Sequence, residues 1–475
     1  MSTAAQFSPD AKEGVNADRF KVGTLSYTKA GLVTVFLYLL WGDFCFTLME
    51  TVVPSILPVK LGAIGAPNWV LGLILTTIPN LMNTVINPFV SFRSDRFRSR
   101  WGRRIPFLAG ATPFLVLFLI LLGYSDPIAK WAQRVLLGGS GSELTILLIV
   151  IGVFMVCFQF FNLFITSVYY YLFNDVVPHA FLARFMALFR MVGTAAGALY
   201  NYFIFKYAET HMQEIFLFSG LLYLTAFGLM CWKVKEGEYP PPPVNLDQRT
   251  GLVASIKTYA VECFSERFYW FFFLANAAFA MTWVSGTYGV LVATRVIGID
   301  LDTFGKIGGA CGIISLIILY PAGMISDRFH PLRVLLISTV LQTLIAPISI
   351  AFLFSRAGLT DVTALWIYIG LCLVGLPIGT LHGAAELPMF MKLLPQDRYG
   401  QFCSANALVR SCALMIGGIA CGLFLDFAQR FHPLLEQCYR FVPVWNLFWL
   451  IISSVLYYLL YREWKRRGGE VGEQS

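Results

Sequence analysis

Hydrophobic residues occur along the chain in long runs that are separated by short polar stretches. Twelve of these runs are long enough to cross a hydrocarbon layer of ~30 Å as helices of about 20 residues. They form predicted segments 1 to 12, at residues 30–57, 68–92, 105–124, 143–170, 182–207, 214–233, 266–296, 303–326, 332–355, 363–391, 401–428 and 443–461. The runs are longer than barrel strands of about ten residues and lack their strict alternation of polar and apolar positions. The pattern therefore predicts an all-α membrane protein with 12 transmembrane helices.

The tetrapeptide Ser-Asp-Arg-Phe occurs twice, at residues 94–97 and 326–329, each time just after a long apolar run. The copies are 326 − 94 = 232 residues apart, about half of the 475-residue chain. A charged signature at the same place in each half indicates a duplicated bundle of helices. We therefore expect two pseudo-symmetric six-helix halves. The predicted divisions are a cytoplasmic tail at 1–29, a first bundle at 30–233, a proline-rich cytoplasmic linker at 234–265, a second bundle at 266–461 and a tail at 462–475.

Composition and charge agree with a membrane location. The chain is 57% hydrophobic and only 13% charged, whereas ordinary soluble domains are roughly 25% charged. Six arginines lie between segments 2 and 3, at 93–104, and a basic run at 465–467 follows segment 12. By the positive-inside rule both regions, and both termini, are expected in the cytoplasm. Topology thus accounts for the formal charge of +8, and we expect no nucleic-acid partner.

The arginine-rich loop carries a family resemblance. Residues 94–107 read Ser-Asp-Arg-Phe-Arg-Ser-Arg-Trp-Gly-Arg-Arg-Ile-Pro-Phe. The stretch resembles the loop between helices 2 and 3 of major facilitator transporters. The part Arg-Trp-Gly-Arg-Arg, followed by Pro-Phe, is similar to the glycoside-pentoside-hexuronide:cation symporters, which include the melibiose carriers, and to the related sucrose:proton symporters. The resemblance implies the major facilitator fold and transport by alternating access.

The two signatures predict a cytoplasmic gate. An acid at a helix end can pair with the N-terminus of another helix or with arginine, and so hold helices together on one side of the membrane. The alternative is that these charges only fix topology. The gate candidates are Asp95, Arg96, Arg103, Arg104, Asp327 and Arg328.

Charged residues within the predicted helices are the main functional candidates, because each costs about 2.5 to 3.5 kcal/mol near the bilayer centre on insertion scales. Asp43 and Glu50 are seven residues apart and share a face of segment 1. Arg190 lies in segment 5. His382 and Glu386 lie four apart in segment 10, and Arg410 lies in segment 11. We expect these groups to face a common cavity, although a structural salt bridge between Glu386 and Arg410 is an equal alternative.

Amide and aromatic side chains extend this pattern. Gln159 and Asn162 follow one face of segment 4, and Asn276 shares a face of segment 7 with Trp283. Amides both donate and accept hydrogen bonds, and an indole can stack on a sugar ring, so this set fits a neutral polyhydroxyl ligand. For any single amide, hydrogen bonding between helices is an equal alternative.

The resemblance to the melibiose carriers assigns further roles. It implies that Asp43 is a sugar-binding aspartate, that Arg190 contacts sugar, and that Arg410 stands where the family has a cation-site lysine. Where the sodium-coupled members carry aspartates, this chain has amides, at Asn83, Asn87 and Asn162. Amides keep the oxygen but lose the charge that binds a hard cation. We therefore expect proton coupling, carried by Asp43, by Glu50 or by the pair His382 and Glu386.

These observations predict a secondary active transporter that moves a small sugar or glycoside across the inner membrane. Its partners are the solute, a coupling proton and the lipid bilayer. The alternatives are a carrier of an organic anion such as a uronate, with Arg190 and Arg410 as its ligands, an uncoupled facilitator, and a transporter-like sensor. The chain has no HExxH motif, no nucleophile with a recognisable base and no phosphate-binding glycine loop. We therefore expect no enzymatic activity, no cofactor and no bound metal.

Overall fold

The computed structural model of the chain describes residues 20–136, 138–237, 261–395, 398–431 and 435–469, without the side chains of 87–89, 91–93, 95–96, 183 and 435–436. Within these ranges, 12 helices are long and apolar enough to cross a membrane. They are called spans 1 to 12 and comprise Lys29–Ala63, Asn68–Ile86, Ile105–Gly123, Glu143–Val176, His179–Tyr207, Met212–Lys233, Arg267–Ile297, Leu301–Phe329, Pro331–Phe354, Asp361–Leu393, Tyr399–Gln429 and Gln437–Arg466. The predicted all-α architecture and the number of spans are confirmed.

Several helices continue beyond the apolar runs that predict them. Span 1 ends at Ala63 rather than 57, span 4 at Val176 rather than 170, and span 12 at Arg466 rather than 461. Helical hydrogen bonding carries on into the polar interface, because a helix satisfies its own backbone groups whatever its side chains are. Polar residues at the ends of spans are therefore held on rigid helix and not in loops.

Two small elements were absent from the sequence-based prediction. Strands β1, Lys21–Val22, and β2, Leu25–Ser26, form a short antiparallel hairpin before span 1. A helix at Ser125–Val135 lies between spans 3 and 4 and has polar and apolar faces. Most residues of the predicted linker lie outside the described ranges, while residues 261–264, near its end, are described and helical.

The chain folds into two compact units. Unit 1 comprises Met1–Val52, Val85–Gly197 and Gln213–Val244. Unit 2 comprises Val53–Thr84, Ala198–Met212 and Asn245–Ser475. The chain therefore passes from one unit to the other within spans 1, 2 and 5, so that unit 2 contains the last third of spans 1 and 5 and nearly all of span 2. The predicted sequence halves at 30–233 and 266–461 stay a prediction.

Aromatic side chains fill the core of unit 1. Tyr169 and Phe173 of span 4 have ring centroids 4.7 Å apart, and Phe173 lies 5.0 Å from both Phe185 and Phe189 of span 5. Tyr169 also lies 5.1 Å from Phe227 of span 6. Burial of large rings that bridge three spans fixes the positions of those spans relative to each other within the unit.

In unit 2 a comparable core joins spans 7, 9, 10 and 12. Phe272, Leu335, Met389 and Tyr457 are fully buried in it. Tyr457 donates a hydrogen bond to the amide oxygen of Asn276, at 2.9 Å, so a polar contact ties span 12 to span 7 inside this core.

Candidate functional site

A polar face of span 1 forms one side of a cluster in unit 1. Asp43, Thr47 and Glu50 follow one another at helical spacing, and the Thr47 hydroxyl donates to Asp43 Oδ1 at 3.5 Å. Asp43 is 1% exposed, and none of the described residues makes a hydrogen bond to its second oxygen, Oδ2. A buried carboxylate oxygen without a donor is costly, so this atom is a strong candidate to meet a ligand or a proton.

Span 4 adds two amides to this cluster. The Asn162 amide nitrogen donates to Glu50 Oε1 and to Gln159 Oε1, both at 3.3 Å. Asn162 is buried, and its own oxygen, Oδ1, accepts no hydrogen bond from a described residue. Two buried acceptor oxygens of the cluster, one on Asp43 and one on Asn162, thus lack a donor within the described ranges.

Two contacts hold spans 4 and 5 against span 1 at this level. The Tyr169 hydroxyl donates to the backbone oxygen of Leu39 at 2.7 Å. At Gly193 of span 5, an added Cβ would lie 3.4 Å from Thr47 Oγ1 and 3.6 Å from Asp43 Oδ2. Span 5 therefore presents bare backbone to Asp43. Arg190, one turn earlier, is exposed and makes no ion pair with a described residue.

Unit 2 contains a second cluster of predicted site residues. Arg410 Nη1 donates to Glu386 Oε1 at 2.9 Å, and the Arg410 guanidinium lies 4.9 Å from the ring centroid of Trp283. Trp283 is 57% exposed, so one face of its indole is open beside the ion pair. The charge of Arg410 is thus compensated within the unit, as the salt-bridge alternative predicted.

His382 makes no hydrogen bond to the described residues of this ion pair. Its ring stacks on Phe279 with centroids 3.6 Å apart, and Nδ1 lies 3.1 Å from the Ser338 hydroxyl. The other ring nitrogen has no partner among the described residues, and the side chain is 2% exposed. The expected pairing of His382 with Glu386 is therefore not formed, because Glu386 binds Arg410 instead.

Both polar atoms of the Asn276 side chain form hydrogen bonds within unit 2. Its amide nitrogen donates to the Phe272 carbonyl at 2.8 Å, and its oxygen accepts from the Tyr457 hydroxyl at 2.9 Å. Direct contact with a ligand would require one of these bonds to break. The geometry of Asn276 therefore fits hydrogen bonding between helices, the alternative that the sequence left open.

The arginine-rich loop in unit 1 is held by two acids that the sequence analysis did not single out. Asp175, at the end of span 4, accepts from Arg103 Nε at 2.9 Å, from Arg103 Nη2 at 2.6 Å and from Arg104 Nε at 3.2 Å. Glu236 accepts from the backbone N–H groups of Arg103, Arg104 and Ile105, at 2.9, 2.8 and 2.6 Å. It thereby caps the N-terminus of span 3.

The structure describes only some of the remaining predicted residues, which are the other gate candidates and the amides of span 2. Asp327 and Arg328 are exposed at the end of span 8. The side chains of Asp95, Arg96 and Asn87 lie outside the described ones, and Asn83 is half-buried in span 2. Among the described residues, no group of three or more His, Cys, Asp or Glu side chains is placed to hold a metal ion.

A third polar contact lies in unit 2, where span 2 begins and span 11 ends. Asp426 Oδ1 accepts from the Asn68 backbone N–H and from its side-chain amide, both at 2.9 Å, and Oδ2 accepts from the Trp69 backbone N–H at 3.0 Å. The Tyr288 hydroxyl donates to the Asn68 carbonyl at 2.9 Å. Asp426 thus caps the first turn of span 2.

Glycines let the backbones touch beside this cap. An added Cβ at Gly72 would lie only 1.8 Å from the carbonyl oxygen of Gly418, and one at Gly422 would lie 2.4 Å from that of Asn68. Span 8 meets the end of span 5 in the same way, because a Cβ on Gly305 would lie 2.2 Å from the Asn201 carbonyl. In unit 2, parts of the first half of the sequence therefore pack directly on the second half.

The bidentate contact at Asp175 leads to a stability prediction. We expect Asp175→Asn to lower the free energy of unfolding by about 3 kcal/mol, because it removes the charge of an acid that two largely buried guanidinium groups share. The melting temperature of the purified protein in detergent measures this. Glu143→Gln, at the other end of the same helix, is the matched control: Glu143 pairs with Lys130 at 3.8 Å and both side chains are more than half exposed, so the expected change is under about 0.5 kcal/mol. Equal melting temperatures for the two variants would contradict the assignment.

Comparison with known proteins identifies the family. The sequence profile described as Major Facilitator Superfamily matches residues 39–418, most of the chain. The chain belongs to this superfamily. Its twelve spans are those of the major facilitator fold, and a membrane transporter rather than an enzyme is indicated. The narrower resemblance to melibiose and sucrose carriers is not tested by this match.

Solved structures with the same fold come from several transport families. A bacterial homologue of the human lysosomal transporter Spinster, inward-facing and unoccupied, is similar with a TM-score of 0.66 and 14% identity, over 92% of this chain and 98% of that chain. A bacterial homologue of the iron transporter ferroportin, inward-facing, has a TM-score of 0.62 and 14% identity, over 90% and 99%. The nucleoside transporter NupG has a TM-score of 0.61 and 13% identity, over 91% and 99%. These likenesses concern the fold and leave the solute open.

Proposed function

We propose that this major facilitator protein is a proton-coupled transporter of a small sugar or glycoside in the inner membrane, with both termini in the cytoplasm. The observation that carries the proposal is the pair of buried acceptor oxygens in unit 1, Asp43 Oδ2 and Asn162 Oδ1. A polyhydroxyl solute brings several O–H donors, which such acceptors bind through short hydrogen bonds, the carboxylate most strongly.

Asp43 is the proposed proton carrier as well as a sugar ligand. Glu50 already accepts a hydrogen bond from Asn162, whereas one oxygen of Asp43 has no donor in the part of the chain that the structure describes. Protonation of Asp43 would remove a buried charge and supply an O–H donor at the same oxygen. His382, stacked on Phe279 and 2% exposed, is the weaker candidate because protonation would create a buried charge on its ring, whereas protonation removes one from Asp43.

The organic-anion alternative depends on arginine charge that is free to meet a carboxylate. Arg410 is paired with Glu386, which leaves Arg190 as the remaining candidate of the two. The backbone of Gly193, one turn after Arg190 on span 5, faces Asp43, so an anionic solute held by Arg190 would meet negative charge whenever Asp43 is ionised. A neutral solute avoids this cost, and this favours sugars and glycosides over uronates.

Alternating access requires contacts that break when the transporter changes state. We propose that the cap of Asp426 on Asn68 and Trp69, named here the outer latch, is such a contact. The positive-inside expectation puts it on the external side, opposite the arginine loop. Within the described ranges, π-helical turns at Leu73–Thr77, Tyr200–Ile204 and Val292–Ile297 all lie in unit 2, in spans 2, 5 and 7. Such turns mark positions where helices accommodate change.

Arg190 offers a test of the solute site that needs no gradient. We expect Arg190→Gln to raise the KM for counterflow about 10- to 100-fold, because each hydrogen bond from a charged donor contributes about 1.5 to 3 kcal/mol. Counterflow exchange in proteoliposomes measures it. Arg184→Gln, an exposed arginine two turns earlier on the same span, is the control and should keep the parental KM. An unchanged KM for Arg190→Gln would remove Arg190 from the site.

The solute class is tested by counterflow with a panel of labelled disaccharides, glycosides, uronates and nucleosides. Under the proposal, one or more neutral sugars or glycosides exchange with preloaded solute, and the corresponding uronate competes less well than its neutral parent. Preferential exchange of a uronate would establish the organic-anion alternative, and exchange of nucleosides alone would overturn the sugar assignment.

A further inference from the structure

A groove between the ends of spans 3 and 6 in unit 1 has no part in the proposed transport cycle. Its volume is about 540 Å³, within the ~300–1,000 Å³ range that is usual for small-molecule sites. Its rim is formed by Arg100 and Trp101, just before span 3, and by Trp232 and Lys235, at the end of span 6. The two indoles are 59% and 74% exposed.

The packing of the two spans explains why the groove opens at this end. At the other end, an added Cβ on Gly220 would lie 3.2 Å from Val116, and one on Gly123 would lie 2.8 Å from Phe216. At Gly228, nearer the rim, an added Cβ would meet nothing within 4 Å. The helices therefore touch at one end and separate toward the loop that precedes span 3.

The rim is cationic. Arg100 and Lys235 are exposed and form no ion pair with a described residue. The acid in the groove, Glu236, already accepts three backbone N–H groups at the start of span 3. The two rim cations exceed the single acid of the groove, so the rim keeps a net positive charge for an external anion.

Below the rim, the wall is apolar and reaches into the membrane span. Ile105 and Ala109 line it from span 3, and Gly228 and Cys231 line it from span 6. At 1.5 Å per residue, Ala109 lies about 6 Å from the first residue of its span, and Gly228 lies about 7.5 Å from the last residue of its own span. The groove therefore joins a cationic, tryptophan-bearing rim to an apolar floor at the depth where acyl chains begin.

We propose that this groove binds an anionic phospholipid. Its phosphate would lie between Arg100 and Lys235, its glycerol between the two tryptophans, and one acyl chain against Gly228. Basic pockets between spans and clusters of tryptophan with basic residues are the features that recognise such lipids. The inference does not depend on the solute or on proton coupling.

Native mass spectrometry of the delipidated protein, titrated with dioctanoyl phosphatidylglycerol, tests the proposal. We expect Arg100→Gln combined with Lys235→Gln to weaken binding about 30-fold, since each cation near a membrane surface contributes a factor of about five. We also expect Gly228→Phe to reduce binding at least fivefold by filling the space for the acyl chain. Lys465→Gln with Arg466→Gln, which removes the same charge at the end of span 12, is the control for the rim. Gly152→Phe, at a glycine of span 4 where an added Cβ also meets nothing within 4 Å, is the control for the floor. Both should bind as the parent does.

Two further ligands distinguish the source of the phosphate. Dioctanoyl phosphatidylcholine should bind at least tenfold more weakly than phosphatidylglycerol, and inorganic phosphate should not displace the bound lipid. Equal binding by the groove variants and their controls, equal affinity for the zwitterionic lipid, or displacement by inorganic phosphate would each overturn the assignment.

Discussion

Asp43→Asn is expected to lose uphill transport completely while it still exchanges solute. A gradient of about one pH unit is worth about 1.4 kcal/mol per proton, which can drive roughly tenfold accumulation at one proton per solute. Asparagine offers an oxygen to a sugar hydroxyl but cannot carry a proton, so the accumulation ratio should fall to about one. Uptake of labelled solute into proteoliposomes with and without the imposed gradient measures this ratio.

Stability separates this effect from misfolding. Asp43 is buried with one oxygen that lacks a donor among the described residues, so removal of its charge should leave the melting temperature unchanged or raise it. Asp302→Asn is the control, because that aspartate lies partly exposed at the start of span 8 and pairs locally with Lys306, four residues away. Undiminished accumulation by Asp43→Asn would show that another group carries the proton, and Glu50 would be the next residue to test.

Asp426→Ala is expected to open the outer latch. The substitution removes three hydrogen bonds to a carboxylate, and we expect the closed arrangement to lose about 3 kcal/mol, a shift of roughly a hundredfold in its equilibrium with the open one. Cys438 reports on the change, because it is 1% exposed and its sulfur lies 3.8 Å from the Asn68 amide nitrogen. With the other nine of the ten cysteines replaced, the rate of Cys438 alkylation by a membrane-impermeant maleimide should rise by a comparable factor.

Graded variants sharpen this test. Asp426→Asn keeps one acceptor oxygen and should give an intermediate rate. Gly72→Ala should act in the same direction as Asp426→Ala, because its Cβ would collide with the Gly418 carbonyl in the closed arrangement. Asp361→Ala removes an acid whose side chain is 90% exposed at the start of span 10, and should leave the rate unchanged. If Asp426→Ala alkylates no faster than this control, the contact is not a latch.

Features that depend on local periodicity could be predicted from the sequence. Apolar runs of membrane-spanning length gave the twelve spans, because the bilayer permits little besides helices. The face that carries Asp43, Thr47 and Glu50 also followed from helical spacing alone. These predictions needed no knowledge of which helices are neighbours.

Features that depend on distant partners could not be predicted. Asp175 lies 72 residues from Arg103, Glu236 lies 133 residues from it, and Asp426 lies 358 residues from Asn68. The order of the spans gave one signal for Asp175 and Glu236. The loops after spans 2, 4 and 6 lie on the same side of the membrane, so acids at the ends of spans 4 and 6 could have been considered as partners of the arginines. The sequence offered two partners for Glu386, His382 on the same helix and Arg410 on the next. Only the three-dimensional packing shows that Glu386 binds Arg410.

The central claim, proton-coupled uptake of a sugar or glycoside, is tested most directly by solute accumulation in proteoliposomes that contain the purified protein. The solute is the one identified by counterflow, and the imposed gradient is either of protons or of sodium. We predict accumulation above equilibrium under the proton gradient and simple equilibration under the sodium gradient. Accumulation driven by sodium alone, or equilibration under both gradients, would contradict the claim.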